Sequence, residues 1–254
     1  MTSNSDSPYL LEIRRELDSR AGYEAIYQED DLSQIWSFYL WLMQQLQLPA
    51  RGRLLDVSCG AGEVVQLAMR HGLSATGVDI SRAAARRARQ AVGPGAWIAV
   101  SAGENLPFPA SSFDFVTSIG SLEHFVDPAQ GVREMARVLR PGGRAFVLVP
   151  NTFSLLTNIW IAFRSGQTSV DNQPLQRYGA RADWTRLLEG NGLSVQRTVK
   201  YERPWPRSAA DTRYYLRRPK EMIRLLLGPL VPLNLAFCFL FTCEHPIVPR
   251  LPAN

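Results

Sequence analysis

The sequence has few of the residues that build metal centres, disulfide frameworks or hydrolytic triads. It contains three cysteines and three histidines in 254 residues. The odd cysteine count implies no disulfide framework, so we expect a reducing, cytoplasmic compartment. His71, His124 and His245 lack ligand spacing with each other or with the cysteines, and no Ser-His-Asp signature is present. We therefore predict neither a metal site nor a triad hydrolase.

The chain also lacks a strong charge of either sign. Its 28 basic and 23 acidic residues leave a formal net charge of +5, with no basic stripe that carries interleaved aromatic residues. This small excess does not indicate a nucleic-acid partner. Hydrophobic residues make up 46% and charged residues 20%, which fits one globular α/β domain with additional elements. The polar N-terminus does not resemble a signal peptide.

One apolar run, residues 225–243, is long enough to reach across a bilayer. Gly228, Pro229, Pro232 and Asn234 interrupt it and break a simple helix. The pattern favours two short buried helices, or a helix and a strand. A hydrophobic pocket, contact with a membrane surface and a transmembrane anchor remain open alternatives.

Strand and helix signals alternate through the middle of the chain. Glycine and proline pairs separate them, and Asp127-Pro128 marks a helix start. This alternation predicts a mostly parallel sheet with helices on both faces. The predicted strands are 53–57, 75–79, 97–100, 113–118 and 144–149, and the predicted helices lie near 62–71, 81–92 and 128–139.

The flanking segments show weaker patterns. Leu10, Leu11, Ile13 and Leu17 recur at helical spacing, which predicts a helical cap over residues 9–47. After Pro150 we predict helices at 153–164 and 181–191, a polar loop at 165–176 and a strand at 193–200. The chain is accordingly divided into a cap (1–48), a core (49–200) and a C-terminal extension (201–254), all within one structural domain.

A glycine turn with a following acid is the most informative motif. Residues 56–62 read Asp-Val-Ser-Cys-Gly-Ala-Gly, and Asp79 ends the next strand about 20 residues after Gly60. In Rossmann-type units such glycines let the backbone approach a nucleotide-like ligand, and the acid accepts bonds from ribose hydroxyls. A dinucleotide is disfavoured, because Val65 is bulky at the third glycine position and Glu63 would meet a pyrophosphate with like charge. A ligand without phosphates fits better.

Five segments together resemble the class I S-adenosylmethionine-dependent methyltransferases, over roughly residues 50–150. They are Leu-Asp-Val-Ser-Cys-Gly-Ala-Gly-Glu at 55–63, Gly-Val-Asp-Ile-Ser at 77–81, Glu-Asn-Leu-Pro-Phe at 104–108, Ser-Phe-Asp-Phe-Val at 112–116 and Arg-Val-Leu-Arg-Pro-Gly-Gly at 137–143. The resemblance implies a Rossmann-like three-layer sandwich with a seven-stranded sheet, whose last strand, near 242–249, is antiparallel. It also implies S-adenosyl-L-methionine as cofactor.

The resemblance assigns roles to individual residues. Asp56 would orient the glycine turn and help hold the cofactor amino group, and Asp79 would accept both ribose hydroxyls. Ser58 departs from the usual glycine and is tolerated if its φ is negative; Ala102 replaces a frequent Asp that bonds the adenine amino group. Whether Glu104 is a direct ligand stays open. The full set of cofactor-binding positions is Asp56, Ser58, Cys59, Gly60, Gly62, Asp79, Ile80, Ala102, Gly103, Glu104, Ser118 and Ile119.

His124 is the only histidine near the predicted site, and its ordinary pKa suits a base that takes a proton from an acceptor hydroxyl. A structural role in the pocket is the alternative. We predict a methyltransferase acting on a small, hydrophobic or lipid-like metabolite, with O-methylation as the reaction and no nucleic-acid partner. A cofactor-binding protein without transfer activity, and a peripheral membrane C-methyltransferase that modifies lipids, remain alternatives.

Overall fold

The computed structural model describes residues 9–16, 18–29, 32–170 and 173–247. Within these residues the chain alternates strands and helices. The predicted core elements are present with ends shifted by at most one residue, except that the strand predicted at 144–149 begins five residues earlier, at Leu139. The strands are β1 (Leu10–Arg14), β2 (Arg53–Val57), β3 (Ser74–Asp79), β4 (Trp97–Val100), β5 (Phe113–Ile119), β6 (Leu139–Pro150), β7 (Leu175–Gly179), β8 (Ser194–Tyr201) and β9 (Cys238–Glu244). The α-helices are α1 (Ser19–Glu29), α2 (Trp36–Leu46), α3 (Glu63–Arg70), α4 (Arg82–Val92), α5 (Pro128–Val138), α6 (Trp160–Ser165), α7 (Arg181–Glu189), α8 (Ala209–Leu216) and α9 (Pro219–Leu227).

The main sheet has seven strands in the order β4-β3-β2-β5-β6-β9-β8. Strands β4, β3, β2, β5 and β6 pair in parallel, and β9 is antiparallel to both of its neighbours, β6 and β8. The prediction of a mostly parallel seven-stranded sheet is confirmed. The chain leaves β2 toward β3 on one side, and later returns to β5 on the other side. This reversal creates a crevice at the carboxyl ends of the strands, where ligands bind in open α/β sheets.

Helices cover both faces of the sheet, which confirms the three-layer sandwich. Alternate residues of a strand point to opposite faces, so Leu54 and Leu55, both fully buried, belong to different cores. One core packs Leu55 against α5 and α7, where Trp184 is fully buried. The other packs Leu54 against α2, α3 and α4. Together the two cores hold the carboxyl ends of β2, β3 and β5 in fixed relative positions.

The prediction for the first residues of the cap is wrong. Residues 10–14 form strand β1 instead of a helix, antiparallel to β7, with Leu10 opposite Gly179 and Arg14 opposite Leu175. Leu17 lies outside the described residues. The predicted loop 165–176 is also wrong at its end, because Leu175 and Gln176 belong to β7. Tertiary pairing has overridden a weak local preference in both segments.

The last strand is antiparallel, as expected, but it begins earlier, at Cys238 rather than Thr242. The apolar residues that precede Thr242 are buried between β6 and β8, whereas Pro246 has no N–H for a ladder. The apolar run 225–243 therefore consists of the end of α9, two 3₁₀ turns (Gly228–Leu230 and Leu233–Leu235) and β9. Among the described helices, none is both long and apolar enough to cross a bilayer.

Candidate active site

A cavity of about 470 Å³ lies at the carboxyl ends of the central strands. Its wall includes the last residues of three strands, Asp79 of β3, Ile119 of β5 and Pro150 of β6, together with the turn that follows β2. Helix α1 contributes Tyr23 and Tyr27. The crevice predicted from the strand order is therefore the place where the predicted site residues meet.

The glycine turn after β2 is held close to β3. Cys59 donates its backbone N–H to the Val78 carbonyl at 2.9 Å. Gly60 has a φ of 54°, and a Cβ there would lie 2.8 Å from Tyr27 Oη. Glycine is thus required at this position by both conformation and space. Gly62, with a φ of 91°, is the N-cap of α3; a Cβ there would lie 3.1 Å from Ala88, and the residue does not line the cavity.

Ser58 corrects one expectation. Its φ is +61°, in the left-handed region, whereas a negative φ was expected to accommodate a serine here. The chain has to bend sharply from β2 into the glycine turn, and this bend uses a conformation that favours glycine. The Ser58 side chain lines the cavity, so it adds a hydroxyl to the wall at the cost of backbone strain.

Asp79 is fixed by two backbone bonds and lines the cavity. Its Oδ2 accepts the Gly60 N–H at 2.9 Å, and its Oδ1 accepts the Ser81 N–H at 2.9 Å. The carboxylate is almost fully buried, and burial raises its pKa to about 6 despite these donors. Glu24, which caps the start of α4 through Ser81 and Ala83, adds a further upward contribution to that pKa.

Asp56 lies at the end of β2 and is also buried in the cavity wall. Its Oδ1 accepts a hydrogen bond from Thr117 Oγ1 at 2.7 Å. Burial raises its pKa to about 7, and the neighbouring carboxylates of Glu63 and Asp79 contribute in the same direction. Three carboxylates therefore share one end of the cavity, an arrangement that a cationic ligand would stabilise.

The segment after β4 brings Ala102, Gly103 and Glu104 to the cavity. Gly103 is needed because a Cβ there would lie 2.2 Å from Phe125 Cζ. The Glu104 carboxylate accepts the Val126 N–H at 2.8 Å, so it holds the loop after β5 in place. Sequence reasoning missed Phe125, whose ring fills the space beside Gly103. Its only sequence signal is the pair of glycines, at 103 and 131, that it contacts.

Of the last two residues of β5, one lines the cavity and the other is buried behind it. Ile119 lines the cavity together with Ile80 of the β3 turn. Ser118 does not line it; the residue is fully buried, with its Oγ 2.8 Å from Ser121 Oγ. Of the twelve predicted cofactor positions, the structure therefore brings all but Gly62 and Ser118 to one cavity.

His124 lies in a 3₁₀ turn, Leu122–His124, and lines the same cavity. Its Nδ1 faces the Leu175 carbonyl, so this nitrogen carries the proton that is donated. In the neutral ring, Nε2 is then the nitrogen that can accept a proton. The Tyr23 ring packs edge-on against the imidazole, with ring centroids 5.9 Å apart, and Nε2 lies 3.8 Å from Glu123 Oε1.

The far end of the cavity comes from segments with no recognisable motif. Tyr201 comes from β8, Cys238 and Phe237 from the start of β9 and the residue before it, and Arg224 from α9. Tyr178 of β7 lines the wall as well. Sequence reasoning missed Arg224 altogether, because nothing near it in the chain marks a binding residue. Four exposed aromatic residues lie outside the cavity wall: Trp36, Trp160, Phe163 and Trp205.

The comparisons with known proteins agree with this geometry. Residues 55–147 match a family model described as a methyltransferase domain. The chain is 33% identical over 182 residues to the 27-O-demethylrifamycin SV methyltransferase of Amycolatopsis mediterranei, covering 66% of this chain and 65% of the relative. It is 32% identical over 133 residues to the ubiquinone/menaquinone biosynthesis C-methyltransferase UbiE of Geotalea daltonii, covering 47% and 57%. Each match spans less than two thirds of the relative.

A solved S-adenosylmethionine-dependent methyltransferase from Mesorhizobium loti has the same fold. The two structures superpose with a TM-score of 0.59 at 19% sequence identity, over 81% of this chain and 97% of that one. The predicted fold is confirmed: residues 55–147 match a methyltransferase domain, and the structure has the fold of a solved S-adenosylmethionine-dependent methyltransferase.

Proposed function

We propose that this protein transfers a methyl group from S-adenosylmethionine to a small, hydrophobic or lipid-like metabolite, with a hydroxyl oxygen as the acceptor atom. One observation carries the proposal. A single cavity is lined at one end by the glycine turn and Asp79, and at the other end by aromatic residues of the C-terminal segments. A cofactor and an acceptor can therefore meet inside one enclosed space.

The residues at the first end fit the cofactor. When bound, S-adenosylmethionine supplies a methyl group on a positively charged sulfur. The buried carboxylates of Asp56 and Asp79 have raised pKa values, so a cation nearby favours their ionised forms. Asp79 would hold the ribose, and the Gly60 turn would leave room for the backbone to approach. Ile80, Ala102 and Gly103 would form the wall around the base.

The second end suits an acceptor with an apolar body. Tyr178, Tyr201, Phe237 and Leu148 line it. Four strand spacings separate β3 from β9 in the sheet, which is about 19 Å at the usual spacing of neighbouring strands. This distance separates the proposed cofactor end from the proposed acceptor end. The C-terminal extension would thus determine which acceptor is used.

His124 is placed to help with proton removal from an acceptor hydroxyl. Its Nδ1–H is committed to the Leu175 carbonyl, which orients the ring and leaves Nε2 as the accepting nitrogen. The residue lines the cavity between the two ends. We propose it as the general base of an O-methylation.

The proposal is tested by transfer from methyl-labelled S-adenosylmethionine into host-cell extract, followed by separation into organic and aqueous fractions. We expect label in the organic fraction. Asp79→Ala should abolish it and weaken cofactor binding by about 1.5–3 kcal/mol, because bonds to a charged group are lost. Glu189→Ala, an exposed acid on α7, is the matched control and should leave both unchanged. Unchanged cofactor affinity in Asp79→Ala would remove the assignment of the ribose site.

The same assay separates the alternatives. Cofactor binding without label transfer to any fraction would favour a binding protein that lacks transfer activity. A membrane-associated lipid methyltransferase has one observation in its favour, since Ile223, Leu226 and Leu230 are all more than half exposed beside the basic Arg217 and Lys220. Co-sedimentation with anionic liposomes that is lost in a Leu226→Glu, Leu230→Glu double variant would support it. No sedimentation of the parent protein would exclude it.

A further inference from the structure

Arg224 is the only arginine or lysine that lines the cavity among the described residues. It lies on α9, and only 8% of its surface is exposed. A buried cation in the wall of an otherwise acidic and apolar cavity is costly unless a ligand or a protein group pairs with it. Its contacts therefore indicate what the cavity is built to hold.

The guanidinium of Arg224 is only partly satisfied by the protein. Nη1 donates to Glu221, at 3.1 Å from Oε1 and 3.3 Å from Oε2. The Cζ atom lies 4.2 Å from the centre of the Phe237 ring, which fixes the plane of the group. Nε and Nη2 are buried and have no hydrogen-bond partner among the described residues. These two nitrogens form one edge of the guanidinium, with parallel N–H groups that match the two oxygens of a carboxylate.

The neighbouring charges do not supply the missing partner. Glu221 is shared with Arg203, which pairs with its Oε2. Glu202 Oε1 accepts the Phe237 N–H at 2.9 Å, and burial raises the pKa of the Glu202 carboxyl. Lys200 donates to three backbone carbonyls of residues 228–231. Three cations thus face two carboxylates around the base of α9, and Arg224 keeps two donors that neither carboxylate accepts.

Other polar atoms in the same wall also lack protein partners. Gln176 Oε1 and Thr157 Oγ1 are buried without a hydrogen bond among the described residues. Buried polar groups are normally paired, so this end of the cavity is arranged for a ligand with polar atoms. A carboxylate supplies the two acceptors that Arg224 lacks and carries a single negative charge. A doubly charged phosphate would add a second negative charge to a wall that already holds Glu123.

We propose that the methyl acceptor carries a carboxylate, distinct from the atom that is methylated, and that this carboxylate binds side-on to Nε and Nη2 of Arg224. The inference rests on the proposed methyl transfer and names the acceptor class as an apolar carboxylic acid. The carboxylate lies at the end of the cavity that the C-terminal segments form, and the atom that is methylated lies toward His124 and the cofactor end. Arg224 is then the residue that selects acids over neutral compounds of the same shape.

The first test uses the unaltered protein and the labelled product from host-cell extract. The product is extracted into organic solvent at pH 2 and again at pH 8. A carboxylic acid is neutral at pH 2 and ionised at pH 8, so we expect label in the organic phase only at pH 2. Partition that does not change with pH, including that of a methyl ester formed on the carboxylate itself, overturns the proposal.

The second test uses Arg224→Gln and Arg224→Lys at limiting extract, with Arg217→Gln as the exposed arginine control. We expect a roughly ten- to hundredfold lower transfer rate for Arg224→Gln, partly recovered at high extract concentration. Arg224→Lys should stay low, because an ammonium lacks the two parallel donors. Cofactor affinity, measured by calorimetry, should be unchanged in both variants, which also reports that they fold. A parental rate in Arg224→Gln overturns the proposal.

The outcomes distinguish this inference from the proposed function. Absence of Asp79-dependent label in any fraction would reject methyl transfer itself. Label that depends on Asp79, but partitions alike at pH 2 and pH 8 or survives Arg224→Gln, would reject the carboxylate alone.

Discussion

Cofactor binding should release protons from the buried acids of the site. Burial raises the pKa of Asp79 to about 6 and that of Asp56 to about 7 in the ligand-free protein. A cationic sulfonium ligand near these groups favours their ionised forms. The affinity for S-adenosylmethionine should therefore increase with pH across the range in which the two acids lose their protons.

The size of the effect follows from the Asp79 value. With a pKa of about 6, the ionised fraction rises from about 0.09 at pH 5 to about 0.9 at pH 7, a tenfold gain in affinity or about 1.4 kcal/mol. Asp56 titrates higher and steepens the dependence if its charge is also required. The expected change is therefore at least tenfold between these two pH values.

Titration calorimetry at pH 5, 6 and 7, in buffers with different ionisation enthalpies, measures both the affinity and the number of protons released. Asp79→Asn keeps the shape of the side chain but removes its charge, so the Asp79 share of the pH dependence should disappear. Glu189→Gln should behave like the parent. An affinity that is constant with pH, or a proton release that persists unchanged in Asp79→Asn and in Asp56→Asn, would refute the reasoning.

The same acids affect the stability of the ligand-free protein with a defined sign. Their folded pKa values lie above the unfolded value near 3.9, so their contribution is fully present below about pH 4 and is lost as pH rises through 6 and 7. The melting temperature of the parent, relative to Asp56→Asn, should therefore decline between pH 4 and pH 7. Cofactor should restore it at neutral pH.

Two further predictions concern stability, and urea unfolding measures both. Ser58→Gly should raise the free energy of unfolding by about 0.5–1 kcal/mol, because the left-handed φ of 61° suits glycine. Ser111→Gly, at a φ of 58° on the surface, is the matched comparison. No gain in either variant would contradict the strain argument. Trp184→Phe should lower it by about 1–3 kcal/mol, since the buried bond from Nε1 to the Pro150 carbonyl at 2.8 Å is lost. An unchanged midpoint in Trp184→Phe would show that this bond is replaced.

The central strands could be predicted because each carries its own signal. Strand β2 was predicted at its observed bounds, and β3 to within one residue, since both are short apolar runs closed by a glycine turn or an acid. Strands that are buried on both faces tolerate few polar residues, so they read as continuous apolar runs. Helix α5 was recognised in the same way, from Asp127 and Pro128, and Asp127 does cap it by accepting the Gln130 N–H.

The pairing of β1 with β7 could not be predicted, because its partners are far apart in the chain. Leu10 pairs with Gly179, and their intervening sequence contains most of the fold. A five-residue strand with a half-exposed pattern is too short to distinguish from a helical turn by periodicity. Only the finished sheet shows why these residues are extended, since β7 also positions Leu175, the carbonyl partner of His124.

The two ends of the cavity differ in the same way, and this explains what the sequence can reveal about function. At the cofactor end, Asp56, Asp79 and Ile119 lie at or next to the end of a strand, so local motifs identify them. At the acceptor end, Arg224 precedes an apolar run that looks like core or membrane segment in isolation. Its role becomes apparent only in the folded protein, where Arg224 of α9 lies in the cavity wall and packs against Phe237, the residue before β9. Because local turns mark the proposed cofactor end and segments distant in sequence form the proposed acceptor end, the acceptor class has to be inferred from the folded cavity.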